Sequence, residues 1–426
     1  MTKKIKFQSP VGMHDILPED WPYFDKVLKV CQNMADFYGF KRIETPIIEK
    51  ADLFLRGIGK DTDIVEKEMY DFKTKGGDYL VLRPEGTASI ARAYIEHGMN
   101  SLPQPVKLWH FGPFFRHEKP QLGRYRQFWQ FGFEILGDVS PVIDVQVIQI
   151  FYNILRELKF KNLVVKINSM GCLHCRSYYR KLLVSYMRSR KNSLCVSCRK
   201  RIKTNPLRIL DCKEEKCQRV CSQAPQLIDH LCDDCKSHFK QVLEFLDELK
   251  IPYDLDPYLV RGLDYYTKTV FEIYGLDQEI NQGALLGGGR YDDLVKLLGG
   301  RETPGCGGAC GIERVVNLMK ERPIRTSRTD SPNIFLAQIG NLAKKKSLVL
   351  AEEFRKARIP IAESFNKDSL KGQLNKANKI GVDHCLIMGQ KEAVENTIII
   401  RNMSSGKQRE VKIEKIIKEV KKILDK

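Results

Sequence analysis

Phe114-Phe115-Arg116-His117-Glu118 and Arg124-Tyr125-Arg126-Gln127-Phe128 flank a short polar loop, residues 119–123. On either side lie stretches rich in aromatic and β-branched residues, 106–115 and 128–136. Such stretches predict strands, so the quoted segment reads as the connection between two of them. A guanidinium makes paired hydrogen bonds to phosphate oxygens, which suits Arg116 to a phosphate. Phe128 offers a ring face to a purine. The basic loop suits a polyphosphate or an RNA end. The plainer reading is a strand hairpin with ordinary surface charge.

Working outward, residues 1–168 read as mixed helices and strands. Apolar spacing predicts a helix over 24–38 that ends at Gly39, and alternation predicts a strand over 42–48. Further strands are expected at 79–83 and 164–168, with a helix at 144–158. Residues 169–257 change character to basic, cysteine-rich and helical. Residues 258–325 return to strands and glycine turns, with a helix from Ile312. Residues 326–332 complete a polar, proline-containing stretch that reads as a linker. Residues 333–426 alternate strands (334–338, 361–364, 384–388, 397–402, 409–413) with helices (344–357, 370–380 and a last one to 424), as a small domain with its own core would. The expected class is α+β: an antiparallel sheet core with helices, a helical cysteine-rich insertion and a C-terminal α/β domain.

A chain of 426 residues exceeds one ordinary core and points to two or three domains. No run of eighteen apolar residues occurs, so no membrane span is expected. The basic start lacks the apolar stretch of a secretory signal, so a cytoplasmic protein is expected. The formal charge is +18 and is unevenly placed. Residues 169–240 carry 16 Lys+Arg against 6 Asp+Glu, and residues 331–426 carry 20 against 11. The rest is nearly neutral, with 35 against 36. Two basic segments point to two contacts with one large nucleic acid, although solvated helix faces would also carry such charge.

The hairpin pattern resembles motif 2 of class II aminoacyl-tRNA synthetases, which bind ATP on an antiparallel sheet. Neither G-x-G-x-x-G after a strand nor G-x-x-x-x-G-K-[ST] occurs, which agrees. By that resemblance Arg116 holds the α-phosphate, Glu118 contacts the adenine side, Phe128 stacks on adenine, and the loop around Gln121 meets the tRNA acceptor end. Mg²⁺ would accompany the ATP. Gly305-Cys306-Gly307-Gly308-Ala309-Cys310-Gly311-Ile312-Glu313-Arg314 lets backbones approach closely before a helix. It resembles motif 3, which makes Arg314 the partner of the γ-phosphate and of the other adenine face. Residues 38–46 resemble motif 1, the helix and strand of a homodimer interface.

Leu259-Val260-Arg261-Gly262-Leu263-Asp264-Tyr265-Tyr266 offers a cation, a carboxylate and two phenols within six residues. Phenol hydroxyls can hydrogen-bond an imidazole, and an arginine can neutralise a transferring group. By itself it also reads as a buried aromatic strand with a glycine turn. Together with Gly287-Gly288-Gly289-Arg290-Tyr291-Asp292 it resembles the histidine-specific motif of histidyl-tRNA synthetases. The resemblance implies that Arg261 contacts the histidine carboxylate and the α-phosphate of ATP, and that Tyr265 and Tyr266 line the imidazole pocket. Glu85 and Thr87 match the amino-group site, and Gln130 and Glu134 match the other histidine contacts. A pocket that pairs both ring nitrogens rejects amino acids that leave its polar groups unpaired. The implied reaction forms histidyl-adenylate from L-histidine and ATP, then passes histidine to the 3′ end of tRNA(His).

Nine of the thirteen cysteines lie between Cys172 and Cys235. Without an export signal, a disulfide framework is not expected. Cys172 with Cys175 and Cys195 with Cys198 have the spacing of a structural zinc site, and Cys212 with Cys217 and Cys232 with Cys235 could supply a second; the spacing leaves open which of the four halves pair. The alternative is eight reduced thiols. The family does not generally require metal here, so such zinc would be structural. Two S₄ sites, each carrying about −2, would leave the insertion basic, at roughly +6.

Residues 333–426 resemble the anticodon-binding domain shared by several class II synthetases. Three other readings compete: a histidine-sensing regulatory paralogue, an RNA-binding protein on an inactive synthetase fold, and a threonyl- or prolyl-type synthetase. The presence of Arg116, Arg261, Arg314 and the basic C-terminal domain weighs against the first, and the intact pocket residues weigh against the second. The 259–266 segment weighs against the third.

Overall fold

The computed structural model describes residues 7–59, 62, 64–121, 123–275, 283–322, 333–366 and 369–424. The 326–332 linker lies outside them. The chain divides into two compact units, Met1–Arg325 and Thr326–Lys426.

In the first unit, β1 (Lys41–Arg42) is followed by a small sheet of β2 (Ile48–Lys50), β3 (Tyr70–Lys73) and β4 (Tyr79–Leu82). Then come β5 (Val106–Phe115), β6 (Gln127–Leu136), β7 (Leu163–Ser169), β8 (Tyr253–Leu255), β9 (Thr267–Gly275), β10 (Leu286–Arg290) and β11 (Gly305–Gly311). The large sheet has the order β1-β5-β6-β11-β10-β9-β7-β8. Its six central strands pair antiparallel, and only the edge pairs β1–β5 and β7–β8 are parallel.

The two faces follow from strand alternation. Phe131, Phe133 and Ile135 of β6 point to one side with Trp109, Phe111, Phe271, Ile273, Cys306 and Cys310. There they meet Val147, Ile150 and Phe151 of the helix Pro141–Glu157 and Val27 and Cys31 of the helix Trp21–Tyr38. Each such buried side chain contributes about 1.5–3 kcal/mol of transfer free energy. The other face carries Gln130, Gly132 and Glu134 of β6. Its neighbours in register are His110 and Gly112 of β5, and Gly307, Ala309 and Gly311 of β11. Gly287, Gly289 and Glu272 continue the row on β10 and β9. One face is therefore a packed core and the other a floor of small residues.

Two sequence expectations need correction. The strand expected over 42–48 is two strands in two sheets, β1 beside β5 and β2 beside β4. Pro46 between them lacks the N–H that a continuous ladder would use. The 259–266 segment is not a strand. Its backbone is held by other means: the Asn168 amide donates to the carbonyls of Pro257 and Leu259 at 3.1 and 3.0 Å, and the Asp264 N–H donates to the Ile58 carbonyl at 3.1 Å.

Between β7 and β8 the chain forms the helices Leu173–Ser189, Val196–Arg201, Glu215–Cys221 and Asp233–Glu248. The first three enclose an apolar cluster that includes Tyr179, Leu183, Met187, Leu194 and Ile209. The last turns Phe239, Val242 and Leu246 into the main core instead. It is tied there by polar contacts as well. Asp144 on Pro141–Glu157 accepts from Arg290 Nε at 2.8 Å and lies 2.7 Å from His238 Nε2. Burial would raise the Asp144 pKa, but Arg290 and His238 hold it below the ordinary value.

The second unit has a five-stranded sheet: β12 (Ile334–Gln338), β13 (Ala362–Glu363), β14 (His384–Met388), β15 (Thr397–Asn402) and β16 (Gln408–Lys412), in the order β13-β12-β14-β15-β16. Leu336, Leu350, Phe354 and Leu386 form one core layer, and Phe335, Ala377, Cys385 and Ile387 the other. Helices therefore cover both faces, Asn341–Lys356 on one and Leu370–Ile380 on the other. A short helix, Gln390–Glu395, was not expected from the sequence; Gly389 N–H donates to Glu392 at 2.8 Å across its first turn.

Candidate active site and thiol clusters

Glu134 lies on the glycine floor, opposite Gly307. It is fully buried, and a Cβ at Gly307 would overlap its carboxylate, so this position requires glycine. Thr87 Oγ1 donates to Glu134 Oε1 at 2.7 Å and Tyr291 Oη to Oε2 at 2.5 Å. Burial pushes the Glu134 carboxyl up to about 8, against the hydrogen bonds from Tyr291 and Thr87 and with help from the nearby Glu85. Glu85 caps the helix Thr87–Glu96, accepting the backbone N–H of Thr87 at 2.7 Å and of Ala88 at 2.8 Å. Its pKa too is raised by burial, against these hydrogen bonds.

The 259–266 loop closes over this floor. Tyr265 and Tyr266 are 5% exposed, with ring centroids 4.7 Å apart. The Tyr265 hydroxyl donates to Glu85 at 3.4 Å. Burial raises the Tyr266 phenol to about 12, against the pull of Arg261, and raises Tyr265 well above the ordinary value. Both phenols therefore keep their protons to donate. Gly287 leaves room for the Arg261 guanidinium, which a Cβ would strike. Arg261 pairs with Glu272, and the Tyr274 hydroxyl donates to the same carboxylate at 2.6 Å. Burial opposes the Arg261 charge, but Glu272 and the two phenols raise its pKa. Gln130 lies on the same face, between Gly112 and Gly311.

A second group sits at the β5–β6 hairpin. The Arg116 Nε donates to the Pro84 carbonyl at 2.9 Å, and its guanidinium lies 5.4 Å from the Phe128 ring centroid. Glu118 is 3.8 Å from Arg116 and 3.5 Å from Arg124. Arg314 donates to the Ala284 carbonyl and borders Gly123 of the hairpin loop. Its pKa is lowered by burial and by Arg124, so an anion here would relieve a clustered positive charge. Gln121 is exposed at the hairpin tip, where its backbone pairs with Arg124.

Three participants were not singled out from sequence. Glu272 was legible as the acidic residue interrupting an apolar strand pattern. Tyr291 stood inside a quoted motif without a role. His110 is 7% exposed beside Gly132, with its pKa lowered to about 3 by burial and by Arg83. Its ring is neutral at any working pH.

The eight paired cysteines form two tetrads, each with all sulfurs within 4.8 Å. Their grouping corrects the sequence order. Cys172 and Cys175 join Cys232 and Cys235, whereas Cys195 and Cys198 join Cys212 and Cys217. The helices Leu173–Ser189 and Asp233–Glu248 both start at the root of the insertion, which brings the first and last pairs together and leaves the inner pairs to each other. Sulfurs lie 3.6 Å apart for Cys172–Cys175 and 4.0 Å for Cys172–Cys232 and Cys195–Cys212. Disulfide sulfurs would be about 2.05 Å apart. Zinc–sulfur bonds of about 2.3 Å at tetrahedral angles place sulfurs roughly 3.8 Å apart, so the tetrads fit zinc. The ninth cysteine, Cys221, donates instead to the Ile209 carbonyl at 3.2 Å.

An antiparallel sheet with a glycine floor, arginines at its motif 2 and motif 3 positions, and a separate α/β unit define a class II aminoacyl-tRNA synthetase. Residues 12–315 match the histidyl-tRNA synthetase family model, and residues 334–423 match the anticodon binding domain. A histidine–tRNA ligase of Dehalococcoides mccartyi is 44% identical over 98% of this chain and 99% of its own. One from Acetivibrio thermocellus is 43% identical over 97% and 99%. The apo S. aureus histidyl-tRNA synthetase crystal structure superposes with a TM-score of 0.80 at 34% identity, covering 97% of this chain and 99% of that one. The chain belongs to the histidyl-tRNA synthetase family.

Proposed function

We propose that the glycine-floored pocket selects histidine and that the arginine group beside it activates its carboxylate, within the histidine–tRNA ligase activity that charges tRNA(His) for protein biosynthesis. The observation that carries the reading is Glu134: a buried carboxyl held by Thr87 and Tyr291, facing a pocket with Glu85 and the phenols of Tyr265 and Tyr266. Glu134 accepts an imidazole N–H, and Glu85 with Thr87 receives the α-amino group. Tyr265, Tyr266 and Gln130 complete the pocket. Arg261 and Arg116 hold the histidine carboxylate and the α-phosphate in line; attack then expels pyrophosphate with Mg²⁺ accompanying it. Arg314 meets the γ-phosphate, and Glu118 and Phe128 meet adenine. The terminal ribose hydroxyl of the tRNA, near Gln121, then attacks the adenylate carbonyl. Position and charge carry both steps, without a covalent enzyme intermediate.

The basic insertion and C-terminal unit supply the phosphate contacts to tRNA. The chain acts in the cytoplasm; no helix among the described residues is long and apolar enough to cross a membrane. It works as a homodimer, a reading supported by the exposed Phe37, Ile47 and Ile48 around the motif 1 segment. The two thiol tetrads hold structural zinc. ATP–pyrophosphate exchange with each amino acid tests the central reading: exchange that depends on histidine supports it, and exchange with another amino acid, or none, overturns it.

A further inference from the structure

The outer tetrad lies against the back of the histidine-selecting loop. Cys172 caps the helix Leu173–Ser189, and Cys175 lies in its first turn. The next residue, Arg176, reaches out of that turn. Its Nη1 donates to the carbonyls of Asp264 and Tyr266 at 3.2 and 3.0 Å. Both carbonyls belong to the loop whose other side presents Arg261, Tyr265 and Tyr266. Gly171, just before the tetrad, accepts the Lys268 N–H at 2.9 Å, and a Cβ there would strike the Cys175 side chain. The insertion grips the loop at one more point: the Asn205 amide lies 2.9 Å from both Asp264 carboxylate oxygens. None of these contacts involves Arg116 or Arg314, the arginines at the hairpin side of the site.

The sulfur spacing and the helix starts favour a thiolate-bound divalent ion at this point. Both pairs sit at helix N-termini, Cys172 and Cys175 on one helix and Cys232 and Cys235 on Asp233–Glu248, where the dipole stabilises thiolate. The Cys232 N–H also donates to Cys175 Sγ at 3.2 Å. A closed S₄ zinc site fixes the direction of the helix that bears Arg176.

We propose that zinc in the outer tetrad positions the histidine-selecting loop through Arg176, so that this clasp sets the enzyme's hold on histidine rather than on ATP. This rests on the zinc reading given above, and Arg176 is a positioning residue, not a catalytic one. Two hydrogen bonds from a charged donor to backbone carbonyls are lost in Arg176→Ala, which should raise the KM for histidine on the order of tenfold.

The test uses the purified full chain. Metal analysis should find two zinc ions per chain, and none would overturn the zinc reading. Arg176→Ala should keep both ions, because its side chain is not a ligand. In ATP–pyrophosphate exchange it should raise the KM for histidine while that for ATP stays within about twofold. An unchanged KM for histidine with zinc retained, or equal rises for both substrates, would overturn the coupling while leaving the zinc reading intact. Should Arg176→Ala fail to fold, Arg176→Gln removes the guanidinium that makes both contacts while keeping most of the stem; a rise for histidine alone supports the proposal, and no rise rejects it.

Discussion

Glu134→Gln is the sharpest probe of the proposed histidine pocket, because it removes an ionisable carboxyl at almost constant volume. Burial pushes the wild-type carboxyl up to about 8, from an ordinary 4.5, against the hydrogen bonds of Tyr291 and Thr87. In the empty pocket at pH 7 this group is therefore about nine-tenths protonated. A carboxylate that accepts an imidazole N–H must first release that proton, at about 1.4 kcal/mol for each pH unit below 8. The expected kcat/KM for histidine in pyrophosphate exchange rises about tenfold per unit up to pH 8, then levels. The imidazole and amino group of free histidine titrate in wild type and variant alike, so the ratio of the two profiles isolates Glu134. In Glu134→Gln that rise should vanish. Parallel profiles between pH 6 and 9 would refute the assignment. The same shift has a stability consequence with a definite sign. Between about 4.5 and 8 the folded chain holds a proton that the unfolded chain releases, so this contribution is full below 4.5 and lost as pH rises to 8. Thermal melts without histidine should show a pH slope across that window that is smaller in Glu134→Gln.

Gly307→Ala should push the Glu134 carboxylate off Thr87 and Tyr291; at about 1 kcal/mol per hydrogen bond, kcat/KM for histidine falls roughly 30-fold while the KM for ATP holds. Arg261→Ala should slow adenylate formation by about 10²–10³ and change histidine binding far less; near-normal pyrophosphate exchange would reject that role. Asp144→Asn leaves the Arg290 guanidinium, with no exposed surface, without its nearest carboxylate. It should cost about 3–5 kcal/mol in denaturant unfolding, and an unchanged midpoint would show that the pair is dispensable.

Strands of the central hairpin and the C-terminal unit were legible because alternation and β-branched residues set them locally. The fate of residues 42–48 was not, since two separate sheets recruit the ends of one alternating stretch. The thiol spacing was legible, but the partnering was not: Cys172 and Cys232 meet only because two distant helices begin at the same place. Glu272 shows the same limit in the pocket. Its parity in β9 puts it on the active face, yet its partner Arg261 arrives from a loop that no periodicity describes.

That loop explains why the histidine motif reads as a strand and is not one. Leu259, Val260, Tyr265 and Tyr266 are buried, as a strand's residues would be, but a strand would commit their backbone to neighbours on both sides. Asn168, Ile58 and Arg176 satisfy the backbone instead. The segment is thereby free to turn over the sheet and lower Arg261 onto Gly287, where no side chain stands in its way. Glu272, itself held by the Tyr274 hydroxyl, fixes the guanidinium there ahead of the phosphate contact proposed for it. The cost of ordering that long side chain is met in folding, so little of it is left to be met during reaction. The glycines opposite and the polar supports behind are thus parts of one device, and an arginine on an ordinary strand would lack both.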